Sequence, residues 1–404
     1  MPILEFVPEI VLYPLVNPYF YSVKMPVYLD YNATTPVDAR VLETMLPYFT
    51  EKFGNAASRT HAFGWVADDA VKTARQQIAT LINCLDQEIV FTSGATEAIN
   101  LALKGVWENY QTKGKHIITV QTEHKAVLDS CKALEKKGAE ITYLPVNREG
   151  LIDLQELKNA LSSQTILVSV MFANNETGVI QPIREIADLT HANNSIFMCD
   201  ATQAIGKVNV DVEEEHIDLM CMSAHKLYGP KGVGGLYVRR KSPRVSLFPQ
   251  IDGGGHERGL RSGTLNVTGI VGFGKACEIA QAEMWDDAVR ISKLRTRLEQ
   301  LLCDLPGVHI NGSTKHRLFN TTSIAFPGIR SESLINKIPN IAVAMGSACT
   351  SAIAEPSHVL KAMGLNDEDT YSSIRFSLGK YTTLEEINAV IERVSAGVNE
   401  LRKP

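Results

Sequence analysis

The chain has 404 residues, more than one hydrophobic core usually serves, so two or three domains are expected. With 45% hydrophobic and 21% charged residues, its composition is that of an ordinary globular protein. A formal net charge of −5 excludes a general electrostatic affinity for nucleic acid or an anionic membrane face. The one basic run, Arg239-Arg240-Lys241, reads as a solvated turn.

Residues 1–24 differ from the rest. They are apolar and carry Pro2, Pro8, Pro14 and Pro18, with Glu5 and Glu9 where a secretory signal would place lysine or arginine. Proline at that spacing interrupts a spanning helix. The stretch contains no arginine, which argues against an organelle transit peptide. It is expected to be an extension outside the fold, with Met25 as the functional beginning.

Helix-like and strand-like segments then alternate. A helical pattern over 65–81 precedes a strand at 88–92, and a helix over 95–110 precedes a strand at 116–120. The same order recurs with a helix at 124–137 and strand at 140–146, then a helix at 154–161 and strand at 165–172. A helix at 183–193, a strand at 196–200 and a strand at 217–223 follow. Short apolar runs between amphipathic helices predict an α/β fold, with a mainly parallel sheet flanked by helices on both faces. Ligands of such sheets bind beyond the carboxyl ends of the strands. After about residue 285 the character changes to a helix at 287–302, strands at 321–326 and 374–377, and a closing helix at 384–401. This reads as a smaller α+β domain. The expected division is a large domain over 38–284 and a small one built from 25–37 and 285–404.

The residues that carry chemistry cluster at the predicted strand ends. Asp200 closes one strand, with Gln203 just beyond, and Ser223, His225 and Lys226 follow another. A carboxylate and an amine at two strand ends can face one crevice. Pyridoxal phosphate requires that pair: an amine to hold it and an acid to keep its ring nitrogen protonated. A salt bridge or two solvated loop residues would account for the same pair. The run Ser93–Glu97 opens a helix directly after a strand, and the amides of Ala95 and Thr96 there suit a phosphate. A simple helix cap is the alternative. His124 follows the strand at 116–120, where an imidazole can stack on a flat cofactor or move protons; a surface histidine at a helix start is equally possible. Asn174 and Asn175 end a strand with amides suited to a carboxylate, or simply form a polar turn. Arg375 lies inside an apolar strand, which is costly without an anionic partner. A substrate carboxylate or a structural ion pair would meet that need. The run Gly253–Thr264, rich in glycine, arginine and hydroxyls, suits a phosphate, a subunit boundary or a flexible connector.

The seven cysteines, at 84, 131, 199, 221, 277, 303 and 349, include no C-x-x-C pair. They support neither a disulfide framework nor a thiolate zinc site, no metal is expected, and the setting is expected to be reducing and cytoplasmic. Cys349 alone sits in a small, polar window (GSACTSAIAEP, 346–356) without the periodicity that buries a thiol. It is the candidate nucleophile.

Taken together, the motifs resemble the cysteine desulfurases of the long-loop branch typified by IscS and NifS. These belong to the class V aminotransferase group of fold-type I pyridoxal-phosphate enzymes. The resemblance rests on YLDYNATTP (28–36), TSGATE (92–97), EHK (123–125), DATQ (200–203), HK (225–226), YGPKG (228–232), RSGT (261–264), GSACTS (346–351) and SIRFS (373–377), and spans Met25 to about Leu401. It implies that Lys226 holds the cofactor covalently, Asp200 pairs with its ring nitrogen, Gln203 contacts its ring hydroxyl and His124 stacks on the ring. Ala95, Thr96, Ser223 and His225 would hold the phosphate, joined by Thr264 of a second subunit. Asn175 and Arg375 would bind the carboxylate of L-cysteine, and Cys349 would take its sulfur as a persulfide, leaving alanine. A homodimer is implied, together with a sulfur-acceptor protein such as an iron–sulfur scaffold or a tRNA-thiolation enzyme, without direct nucleic-acid or membrane binding. Phe172-Ala173 stands where histidine and valine are usual, and Ala56 where proline is common. The chain stops at Pro404, soon after the last helix, so the longer scaffold-docking tail of many IscS-type members is expected to be absent. A selenocysteine lyase would use similar machinery. A non-catalytic sulfur-relay scaffold would have lost Lys226 or Cys349, and both are present.

Overall fold

The computed structural model describes residues 26–345 and 356–403. The N-terminal extension and Cys349 lie outside that range. Strand β1 (Val27–Tyr28) opens the described chain. A central sheet of seven strands follows: β2 (Ile89–Thr92), β3 (His116–Val120), β4 (Glu140–Leu144), β5 (Thr165–Ser169), β6 (Ile196–Asp200), β7 (Leu219–Ser223) and β8 (Gly234–Val238). Their spatial order is β2-β8-β7-β6-β5-β3-β4. Every neighbouring pair is parallel except those that β8 makes with β2 and β7.

Side chains alternate between the faces of a strand, so a sheet covered on both sides needs apolar residues at every position. Ile117, Leu167, Met198 and Leu219 enter one core with the helices Ala95–Tyr110 and Lys125–Glu135. Their neighbours Ile118, Val168, Cys199 and Met220 enter another with the helix Ala62–Leu81. This double burial is why the strands read as continuous apolar runs. Strands β2, β3, β5, β6 and β7 share one direction, with their carboxyl ends on one edge.

The second layer is smaller. Strands β9 (His309–Asn311), β10 (Thr321–Ala325), β12 (Ala344–Met345) and β13 (Ser373–Ser377) form an antiparallel sheet in the order β12-β13-β10-β9, while β11 (Ile341–Ala342) pairs with β1. Its core takes Ile324, Phe376 and the closing helix Leu384–Leu401.

The sequence predicts a helix only from 287, whereas the structure has one 37-residue helix, Val267–Cys303. Its first half buries Ile270 and Phe273 in the large core, and its second half buries Leu294 and Leu298 in the small one. Gly269, Gly272 and Gly274 lower the helical propensity of the first half, which hides it from a pattern reading. Packing explains Gly274: a Cβ there would lie 2.5 Å from Ala74 Cα, so the glycine lets two helices touch. Strand β8 was also not expected, since its GGLYV sequence carries two glycines. A Cβ on Gly234 would come within 2.5 Å of Met222 O and 2.7 Å of Gly94 Cα. The backbone at the carboxyl edge of β2 therefore lies directly against β8.

Gly234→Ala is expected to destabilise the fold by about 1–3 kcal/mol in urea unfolding, since backbone atoms must move to admit the methyl group. An unchanged midpoint would mean that this edge is loosely packed.

Candidate active site

The carboxyl edge of the large sheet opens into a cavity of about 960 Å³, walled on the far side by the small sheet. Ala95, Thr96, His124, Asn175, Asp200, Gln203, Ser223, His225, Lys226 and Arg375 all line it. The described ends of the segment that carries Cys349, Met345 and Pro356, line it too. Thr264 does not; it is exposed on its own chain.

At one end of the cavity the 16-residue helix Ala95–Tyr110 starts at Gly94, with no side chain capping it. Its first-turn amides face outward uncapped, a partial positive charge suited to an anion. Ser223 Oγ is close by, 3.7 Å from where a Gly94 Cβ would stand. His225 Nδ1 bonds Thr34 Oγ1 at 3.1 Å. Burial, then the charges of Lys226 and Lys231, pull its pKa down to about 4, so the imidazole is neutral at pH 7. A phosphate fits this end.

The middle of the cavity is set by Asn32. Its carbonyl oxygen accepts from Lys226 Nζ at 2.6 Å, and Ala33 O accepts from the same amine at 2.8 Å. Lys226 sits in the short turn Ala224–Lys226 that follows β7. Burial first, then Arg375, lower its pKa to about 8, against opposing pulls from Asp200 and Asp30. Asp200 is buried; one carboxylate oxygen accepts from Thr202 N at 3.0 Å, and no cation pairs with it among the described residues. A buried carboxylate that faces a cavity without a partner suits a protonated ring nitrogen. An anion cradle, an amine of lowered basicity and a lone acid together fit pyridoxal phosphate.

His124 caps the helix Lys125–Glu135, its Nδ1 accepting from Ala126 N at 3.1 Å, which leaves the proton on Nε2. Behind it, Glu123 is wholly buried. Its Oε1 accepts from Met171 N at 2.5 Å, and its Oε2 has no partner among the described residues. Burial, then Asp200, push this carboxyl well above the usual range.

Arg375 comes from β13. Its Nη1 donates to Asn175 O at 2.9 Å and its Nη2 to Asp30 Oδ1 at 2.5 Å. The sequence left two partners open for this arginine, and the structure supplies an internal one, Asp30, while keeping the side chain on the cavity wall. Glu176, next to Asn175, accepts from Ser357 Oγ at 2.5 Å, and burial raises its pKa to about 7. Sequence reasoning did not single out Asp30, Asn32, Glu123, Glu176 or Lys207. The available signal was the run at 28–36, whose polar residues interrupt an apolar opening.

Six cysteines are described: Cys131, Cys199, Cys221 and Cys277 are buried, Cys84 and Cys303 partly so. Burial is the first cause raising every one of their thiol pKa values, which leaves them poor nucleophiles. No cluster among the described residues has the makings of a metal site.

The family model described as aminotransferase class-V matches residues 27–390. A cysteine desulfurase IscS of Anaeromyxobacter sp. (strain Fw109-5) is 55% identical over 381 residues, 94% of either chain. The chain belongs to the cysteine desulfurase family of class V aminotransferases. Another cysteine desulfurase IscS, from Haemophilus influenzae (strain PittGG), is 57% identical over the same length, 94% of either chain. Among solved structures, a NifS-like protein superposes with a TM-score of 0.87 at 41% identity, covering 93% of this chain and 100% of its own. The family depends on pyridoxal phosphate, in agreement with the donor set around Lys226 and Asp200. The cysteine desulfurases share the mostly parallel large sheet and the helices on both its faces.

The raised pKa of Glu176 predicts a pH signature. A carboxyl whose folded pKa exceeds its unfolded one stabilises the fold fully below the unfolded value, about 4.5, and loses that contribution as pH rises through about 7. Glu176→Gln should therefore flatten the fall in Tm between pH 5 and 8, recovering at most about 3 kcal/mol at the alkaline end. A variant with the wild-type pH slope would mean that Glu176 is ionised in the native protein.

Proposed function

We propose that the chain is a pyridoxal-phosphate-dependent cysteine desulfurase that removes sulfur from L-cysteine, releases L-alanine and holds the sulfur as a persulfide on Cys349. The observation that carries this reading is the meeting, on one cavity wall, of Lys226, Asp200 and the uncapped start of the helix Ala95–Tyr110. The ends of the segment bearing Cys349 open onto the same space. The fold divides into a large domain over 38–284, which holds the cofactor, and a small one from 25–37 and 285–404, which carries the cysteine segment.

The roles combine the geometry of the cavity with what the family resemblance implies. The amides of Ala95 and Thr96, with Ser223 and His225, would hold the cofactor phosphate, joined by Thr264 from the second subunit of a homodimer. Asp200 would hold the ring nitrogen protonated, Gln203 would donate to the ring oxygen, and His124 would stack on the ring. Pyridoxal phosphate bound there supplies an electron sink for the charge that develops at the substrate α-carbon. Asn175 and Arg375 take the substrate carboxylate. Arg375 is already aimed by Asp30 and the Asn175 carbonyl, so little ordering remains to be done on binding.

Lys226 serves as the base. Its lowered pKa places it near physiological pH, where an amine both accepts and returns a proton efficiently. It takes the α-proton of cysteine. Cys349, as thiolate, attacks the substrate sulfur; the new S–S bond forms as the substrate's C–S bond breaks, and that electron pair stays on the substrate carbon. That β-carbon takes up a proton, Lys226 returns the α-proton, and alanine leaves. The persulfide then passes to an acceptor protein, of the kind that builds iron–sulfur clusters or thiolates tRNA, in a cytoplasmic setting. No helix among the described residues is long and apolar enough to cross a membrane.

Incubating the purified holoenzyme with cysteine and a reductant should yield sulfide and alanine in equal amounts. Cys349→Ala should lose sulfide release while keeping the cofactor's visible absorption. Lys226→Ala should lose both activity and the covalently held cofactor. A Cys349→Ala variant with wild-type sulfide release would overturn the assignment of the nucleophile.

A further inference from the structure

A second buried lysine lies behind the site. Lys207 follows Gln203 by four residues in the turn after β6, is 8% exposed, and does not line the cavity. No carboxylate pairs with it among the described residues. Its Nζ instead donates to Gln203 Oε1 at 2.8 Å. Burial, then the charges of Lys226 and Arg375, draw its pKa down to about 7. Burying such an amine is costly, and no ion pair offsets it. The mechanism above makes no use of it.

The geometry gives it a purpose. Gln203 Nε2 donates to Asn32 O at 2.9 Å, the oxygen that also receives Lys226 Nζ at 2.6 Å. An amide placed between an amine and a carbonyl has one satisfying orientation. Reversed, it would set its NH2 against the amine and its oxygen against the carbonyl oxygen. Lys207 therefore determines which end of Gln203 is the donor on the cavity side. The second N–H of Nε2 has no acceptor among the described residues.

We infer that Lys207 is a positioning residue: it locks the Gln203 amide so that the second N–H is presented to the ring oxygen of the cofactor. The inference rests on the reading of Gln203 as the contact to that oxygen. A hydrogen bond donated to an ionised oxygen favours the ionised form, so the bound cofactor titrates at lower pH with the donor in place. The charged groups around the pair are Lys226 and Arg375, which face Lys207, and Asp200 and Asp30, which face Lys226. Replacing Lys207 leaves all four in place.

The test is a pH titration of the visible absorption of the holoenzyme, for the wild type, Lys207→Met, Gln203→Leu and the double variant. Lys207→Ala is read in parallel as a second removal of the donor, and Lys207→Arg as a variant that keeps one. The expected midpoint is raised by about one pH unit in Lys207→Met, Lys207→Ala and Gln203→Leu. The double variant should rise no further, because the lysine acts only through the glutamine. Lys207→Arg should stay near the wild type. A shift in Gln203→Leu with none in either donor-removing variant overturns the inference and leaves the Gln203 contact standing. No shift in any of them overturns that contact and the inference with it. Additive shifts in the double variant also overturn the positioning role, since the amine would then act by its charge alone.

Discussion

The backbone carbonyl of Asn32 accepts hydrogen bonds from Lys226 and Gln203 at once, and the rest of the site depends on where it stands. The side chain of the same residue donates to Thr321 Oγ1 on β10 and to the Asn175 carbonyl, and its own amide donates to Ser377 Oγ on β13. One residue thus ties the small sheet to the carboxyl edge of the large one. Arg375 reinforces the junction by bonding the Asn175 carbonyl and Asp30 together. Lys226, Gln203 and Arg375 are all held by a short segment that belongs to neither sheet's interior.

Burial does the chemical tuning. Lys226 and Lys207 are less basic than in water because desolvation penalises the ammonium form, and the charge of Arg375 lowers both further. Glu123 and Glu176 move the opposite way, their carboxyl pKa values raised by the same dry surroundings. Raised carboxyls and weakly basic amines both reduce the charge that must be buried around the cavity. Asp200 faces the cavity with no cation paired to it among the described residues. Dryness also explains the thiols: six are raised out of reach by the packing that surrounds them, and the polar window around Cys349 has no apolar periodicity that would do the same.

Much of this was legible in the sequence for one reason. Strands buried on both faces are written as unbroken apolar runs, so β2, β3, β5, β6 and β7 could be placed, and with them the residues at their carboxyl ends. That is how Lys226, Asp200, His124 and Asn175 came to be named together. Glycine hid the remainder of the fold: β8 and the first half of the long helix use it to bring backbones into contact, and pattern reading takes glycine as a breaker. Buried polar residues were hidden differently. Nothing local distinguishes Glu123 or Glu176 from solvated residues, because their partners lie far along the chain. Lys207 bonds Gln203 only four residues before it, but that spacing does not announce its burial. Glu176 meets Ser357, and Asn32 meets residues from both sheets. Asp30 shows the same limit, since the sequence demanded an anion for Arg375 without saying which.

The central claim is that Lys226, rather than any other amine near the cavity, carries the cofactor. The structure makes that a discriminating question, because Lys207 is a second buried amine joined to Lys226 through Gln203 and Asn32. Reducing the holoenzyme with borohydride and mapping the modified peptide answers it directly. The account predicts a single cofactor-bearing peptide with the modification on Lys226. Modification on Lys207, or on a lysine outside the cavity, would contradict it.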